Sequence, residues 1–410
     1  MTPDTLFYIV IAILVIEFIA DQWLGYLNAR RFNAPVPEEL KDLYDAKEYR
    51  KSQQYQREQY RFGLVSSGVS FALMLGFLIF GGFGYVDNLA RSISPDPIII
   101  ALLFFGILIM GSSLLTLPFS WYHTFVIENK YGFNTTTRKT FIADKIKGWI
   151  LMAILGGGML ALIMKFYEWA GTSFWLYAWA LLALFSILAN MFYSRLIVPL
   201  FNKQTPLEEG SLKTAIEAYA SRNNFELDKI FVIDGSKRST KANAHFSGFG
   251  KQKRIALYDT LINDLETPEI VSVLAHEVGH YKKNHILFNL LVSLLLTGVT
   301  FYILSVFINY QELSLAIGVE TPGFHAALLT FGILYSPISE VTGLLMNYFS
   351  RKFEYQADAF AKDTYEAAHL ISALKKLSKH SLSNLTPHPA YVFMHYSHPS
   401  LIQRIKQLKA

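Results

Sequence analysis

The sequence predicts an all-α polytopic membrane protein of seven transmembrane helices, joined to a cytoplasmic α+β domain that holds a metal site. Three observations predict it. Hydrophobic residues make up 52% of the 410-residue chain and charged residues 17%, with a mean hydropathy of +0.28, which is too apolar for a string of soluble domains. Seven stretches are long and apolar enough to span a bilayer, which takes about 20 residues each. One polar segment carries the pattern His276-Glu277-Val278-Gly279-His280.

The spans are expected near residues 6–28, 63–84, 97–117, 148–168, 174–197, 286–308 and 325–347. The first lacks a basic leader and a small-residue cleavage site, so it reads as a retained helix rather than a signal peptide. Within it Glu17 and Asp21 share a face, and carboxylates at that depth should face protein or water. The plainer reading puts Asp21 near the cytoplasmic end and pairs Glu17 with a neighbour. Lys165 and Glu168 are expected to reach for the outer interface.

Lys and Arg sort by loop. Residues 30–62 carry Arg30, Arg31, Lys41, Lys47, Arg50, Lys51, Arg57 and Arg61, and residues 118–147 carry Lys130, Arg138, Lys139, Lys145 and Lys147. On the other side, residues 1–5, 169–173 and 309–324 have none, and 85–96 has only Arg91. The positive-inside rule then places the N-terminus outside or in a lumen and the C-terminus in the cytoplasm. The sequons at Asn134 and Asn384 fall on the cytoplasmic side, where neither is glycosylated. The basic stretch 41–61 is interleaved with acids, which suits a solvated helical face that can touch anionic lipid and argues against a nucleic-acid partner.

The chain divides into 1–197, the first five spans with their loops; 198–285, a polar cytoplasmic segment; 286–347, the last two spans; and 348–410, a cytoplasmic tail. In the polar segment Ser211 to Arg222 has a helical pattern, while 229–233 and 253–258 read as strands. Between them the polar run 236–243 is expected to loop into a strand edge. The tail reads as helices broken around Thr386-Pro387-His388-Pro389. There are no repeats or low-complexity tracts. The chain has no cysteine, which excludes disulfides, thiolate metal sites and a cysteine nucleophile.

Residues four apart lie on one face of a helix, so His276 and His280 can ligate one ion, for which neutral imidazoles favour Zn2+. Glu277 between them is placed to take a proton from water rather than to bind the metal. Two histidines leave such a site one ligand short. The extended spacing that supplies a third histidine would need Gly at Lys283 and His at Ile286, so that class is excluded. Glu354 and Asp358 also share a helical face, so one can ligate while the other orients a histidine; alone, they would read as a solvated acidic face beside Arg351 and Lys352. The motif precedes the sixth span and Glu354 follows the seventh, which puts the ion near the cytoplasmic membrane surface and favours a substrate held at the bilayer.

Three stretches carry a family resemblance. His276-Glu277-Val278-Gly279-His280, the distal run from Phe353 to Ala361, and the run from Thr124 to Asn134 resemble the CAAX prenyl protease 1 family of integral-membrane, gluzincin-type zinc endopeptidases. The similarity extends to Ser236-Lys237-Arg238-Ser239, Asn243-Ala244 and the run from Lys253 to Leu261. It implies His276, His280 and Glu354 as ligands of one Zn2+ per chain, Glu277 as general base, and Asp358 in support. It implies His398 and Arg404 as stabilisers of the oxyanion, and Asn243 on an edge strand that pairs with substrate. On bare sequence His398 would read as a packing or solvated histidine. The family further implies helices walling a water-filled chamber, and cleavage of the terminal tripeptide from prenylated CAAX proteins. The membrane would be the bacterial inner membrane or the endoplasmic reticulum. The chain departs at His245, where the family usually has an aromatic residue, and in lacking a long insert between the last two spans; both bear on substrate preference. The rival readings are a quality-control zinc protease for non-prenylated membrane proteins, and a non-proteolytic protein with structural zinc. An intact Glu277 argues against the second.

Overall fold

The computed structural model describes the whole chain except residues 226, 228, 243 and 248–253, with the backbone alone at 244–247 and 254. Among the described residues the protein is mostly helical, and six helical stretches are long and apolar enough to cross a membrane: Pro3–Ala29, Ala46–Ile79, Pro97–Tyr131, Arg138–Phe201, His285–Phe307 and Phe324–Thr364. The 64-residue stretch Arg138–Phe201 is interrupted at Gly171–Ser173, where Gly171 takes a φ of +54°. The spans expected at 148–168 and 174–197 lie on either side of that turn.

Helix α1 (Pro3–Ala29) starts at Thr2, whose hydroxyl accepts from the Thr5 amide at 3.3 Å, with Pro3 in the first turn. Helix α2 (Ala46–Ile79) starts well before the apolar run expected from 63. The Asp45 carboxylate caps the amides of Lys47 and Glu48 at 2.8 and 2.7 Å, and the polar residues that follow are good helix formers. At its other end Gly81, with φ +70°, turns the chain into α3 (Gly82–Ile93), which splits the expected span 63–84. Helix α4 (Pro97–Tyr122) is capped by Asp96 and runs into a π-helical segment, His123–Glu128. Many aliphatic and aromatic side chains on these helices are exposed, Ile16, Trp23, Leu115 and Leu295 among them, as lipid-facing surfaces require.

The end of the helices remote from the motif is tied together by two apolar clusters, one around Phe104, Phe83 and Ile317, the other around Phe174, Met164 and Leu304. There the buried Asp87 carboxylate meets His325 Nε2 at 2.8 Å and Arg91 Nε at 2.7 Å, so the acid is paired where a lone charge would be costly.

The polar segment forms a four-stranded sheet of β1 (Gln204–Pro206), β2 (Lys229–Ile233), β3 (Ala244–Ser247) and β4 (Arg254–Tyr258), in the order β1-β2-β4-β3. The β2–β4 pair is parallel and the other two are antiparallel, which leaves β3 outermost among the described residues. Against this sheet packs the motif helix, Thr267–Lys282. Its residues Ile270, Val271, Leu274, Ala275 and Val278 recur at helical spacing and are buried against Ile216, Tyr219, Leu257, Leu261 and Leu370. Each large aliphatic chain so buried contributes about 1.5–3 kcal/mol. The buried Glu269 accepts from Lys376 and Ser372 at 2.9 and 2.6 Å, tying the motif helix to helix Ala367–His380.

Candidate metal centre

The motif helix crosses the distal helix, Phe324–Thr364, at Gly279. That approach sets His276 and His280 opposite Glu354. The two Nε2 atoms are 3.1 Å apart, and they lie 3.5 and 3.2 Å from the Glu354 oxygens, His276 facing Oε2 and His280 facing Oε1. Four ligands placed tetrahedrally at about 2.0–2.1 Å from a zinc ion are about 3.3 Å apart, so the three separations suit a cation of that size. Glu354 Oε2 is buried and makes no hydrogen bond, although the Arg404 guanidinium lies near it, so the oxygen keeps a lone pair for a cation. Two imidazole nitrogens and a carboxylate are a donor set that binds Zn2+ and similar divalent ions. The residues fit the group.

Behind each histidine stands a partner that fixes the orientation of its ring. His276 Nδ1 lies 2.9 Å from Asp358 Oδ1, so its N–H donates there and Nε2 is left free to ligate. Asp358 is fully buried and accepts two further hydrogen bonds from Arg404, at 2.8 and 2.6 Å. Burial works against the charged form of His276, but its hydrogen bonds with Asp358 and Glu354 outweigh that and push its pKa up to about 9. His280 Nδ1 lies 3.0 Å from His285 Nδ1, and His285 Nε2 lies 2.8 Å from Gln356 Oε1. One set of tautomers satisfies the chain: His280 donates to His285, and His285 donates to the amide oxygen. His285 and Gln356 were not singled out by sequence reasoning. The available signal was the position of His285, directly after Asn284, whose φ of +59° ends the motif helix and turns the ring back toward it.

Glu277 is half-buried on the wall of a cleft of about 1020 Å³ that also exposes His276, His280, Glu354, His398 and Arg404. His398 is largely exposed, with its Nε2 3.3 Å from Glu354 Oε1. Arg404 is inward, with Nη1 3.3 Å from Glu354 Oε2 while its other nitrogens serve Asp358. Seven of the eight residues expected at the site thus meet around one point; Asn243 lies outside the described residues. Tyr55 and Gln59 of α2 also line the cleft, and sequence reasoning missed both. The carboxylates of the first span do find protein partners: Glu17 accepts from Ser336, and Asp21 lies 3.6 Å from His395 Nε2.

Two family models match: one described as CAAX prenyl protease N-terminal, five membrane helices, over residues 25–203, and one described as peptidase family M48, over residues 206–410. The chain is 35% identical to the CAAX prenyl protease 1 homolog of Arabidopsis thaliana, over 97% of this chain and 96% of that one. It is 35% identical to CAAX prenyl protease 1 of Saccharomyces cerevisiae (96% and 93% covered) and 32% identical to the Homo sapiens homolog (97% and 94% covered). The crystal structure of S. mikatae Ste24p superposes with a TM-score of 0.94 at 35% identity, covering 99% of each chain.

Proposed function

The chain belongs to peptidase family M48, in its CAAX prenyl protease 1 branch, a multi-pass membrane metalloprotease, and we propose that it is a zinc enzyme that removes the terminal tripeptide from prenylated CAAX proteins at the cytoplasmic membrane surface. The observation that carries this reading is the convergence of His276, His280 and Glu354 beside Glu277, in a cleft at the ends of two membrane-capable helices.

In this reading His276, His280 and Glu354 hold one zinc ion. When bound, the ion polarises the scissile carbonyl and acidifies the attacking water. Glu277 takes the proton of that water and delivers it to the leaving amine. His398 presents its Nε2–H to the developing oxyanion, and Arg404 adds positive charge from behind Glu354 while holding Asp358 in place against His276. Substrate lies extended as an added strand along β3, the outermost strand of the sheet among the described residues, and Asn243, the residue before β3 in the sequence, is the candidate to contact it.

The six long apolar stretches, of which Arg138–Phe201 is broken at Gly171–Ser173 into two, support seven crossings. The loop distribution of Lys and Arg supports a cytoplasmic site. The test is cleavage of one CAAX peptide, with and without its farnesyl group, by purified protein before and after chelation. Cleavage of only the farnesylated form, lost on chelation and restored by zinc, supports the reading. Equal cleavage of both forms would move the substrate class to membrane proteins in general.

A further inference from the structure

The segment leading into β3 is held from the membrane side. The Thr135 amide donates to the Arg238 carbonyl at 3.2 Å and the Thr240 amide to the Phe133 carbonyl at 3.1 Å, so residues 133–135 and 238–240 run as a short antiparallel pair. Arg238 is anchored on Asp144 by two hydrogen bonds of 2.7 and 2.9 Å. At the end of this segment Lys241 turns inward. Its Nζ lies 2.7 Å from Glu128 Oε2, 3.0 Å from the Tyr55 hydroxyl, and 4.3 Å from the centre of the Phe133 ring. Glu128 Oε1 accepts in turn from Tyr55 at 2.6 Å and Gln59 at 2.9 Å.

Every proton in this cluster has a direction: Lys241 donates to Tyr55 and Glu128, and Tyr55 donates to Glu128. The Glu128 side chain is only 13% exposed, so its three hydrogen bonds, from Tyr55, Gln59 and Lys241, are shielded from water. Lys241 keeps its proton because the bonds from Glu128 and Tyr55 outweigh the burial that opposes its charge. The cluster shares a wall with the metal site. Tyr55, Gln59 and Ala242, the residue after Lys241, line the same cleft as His276 and Glu277. Two residues beyond Ala242 begins β3, the outermost strand of the sheet among the described residues.

We propose that Glu128 and Tyr55 are positioning residues that, by gripping Lys241, fix the height and register of β3, the outermost described strand, against the metal ligands. The proposal rests on the peptidase reading with substrate extended along that strand. None of the three residues touches the ligands, so the grip acts on where the peptide lies, and its loss is read in KM.

The experiment measures kcat and KM for a farnesylated CAAX peptide with full-length wild type, Glu128→Gln, Tyr55→Phe, Lys241→Met, Lys241→Arg and the double variant Glu128→Gln/Lys241→Met, with metal content and Tm in parallel. Tyr55→Phe removes one hydroxyl and keeps the test valid should a charge variant misfold. The expected result is a loss of about 10- to 100-fold in kcat/KM, carried mainly by KM, at unchanged metal content. The double variant is expected to be no worse than either single, and Lys241→Arg to retain most of the wild-type KM. Unchanged KM in Glu128→Gln, Tyr55→Phe and Lys241→Met, or a loss confined to kcat, would overturn the proposal while leaving the peptidase reading intact. A wild type that cleaves no peptide would overturn both.

Discussion

Gly279 lies hard against Ala357: a β-carbon at position 279 would come within 3.0 Å of the Ala357 Cα and 3.1 Å of its carbonyl oxygen. The helix carrying both histidines and the helix carrying Glu354 meet at this point, so the glycine between Val278 and His280 sets how near Glu354 comes to the imidazoles. Gly279→Ala has only backbone and a Cβ to push against, and neither yields as a flexible side chain would. The expected cost is about 1–3 kcal/mol of stability, with weakened metal retention. Thermal unfolding and metal content of the purified variant check it, and full metal retention would contradict the assigned role of this contact.

Asp358→Asn keeps the shape of the residue that orients His276 but removes its charge. It also leaves Arg404 with a neutral partner. Metal affinity is expected to fall about 10- to 100-fold, as for other residues that hold a ligand histidine from behind. Competition against a chelator of known affinity measures it.

His285→Phe removes the acceptor that faces His280 Nδ1 while filling a similar volume beside Phe353, whose ring stacks on His285 at 4.1 Å. The fold should survive and metal affinity should drop within the same range of about 10- to 100-fold. Because Gln356 is reached only through His285, Gln356→Ala should cost less than His285→Phe in the same assay.

Metal uptake should release a proton. The pKa of His276 is raised from 6.5 to about 9, so at neutral pH the ring is protonated before an ion enters and must lose that proton to ligate. Apparent affinity therefore rises with pH towards 9 and falls by about tenfold per unit below it from this group alone. The linked stability has the opposite sense. The charged ring stabilises the ion-free fold fully below pH 6.5, and this contribution is lost as pH rises through 9. Calorimetry of metal binding in two buffers of different ionisation enthalpy counts the proton.

The grouping of the two histidines and Glu277 was legible in the sequence because helical spacing alone puts them together, and Glu354 because it shares a helical face with Asp358 just after the last span, a choice the resemblance also implied. Apolar runs marked the spans for the same local reason, though not their ends: α2 starts at Ala46 because Asp45 caps a polar run that hydropathy does not register. The contacts that were missed are long-range. His285 meets Gln356 across 71 positions, and Glu128 meets Lys241 across 113, with nothing in either local pattern to pair them. Glu128 stood inside a recognised stretch without a role, since a lone carboxylate after an apolar helix reads as solvated until its partners are in view.

The most direct measurement is turnover of a farnesylated CAAX peptide by wild type and Glu277→Gln, with metal content determined on the same preparations. The predicted result is equal metal in both proteins and a loss of at least about 100-fold in kcat for the variant, because the amide fills the space but cannot accept the proton. Normal turnover by Glu277→Gln with its metal in place would contradict the account at its centre.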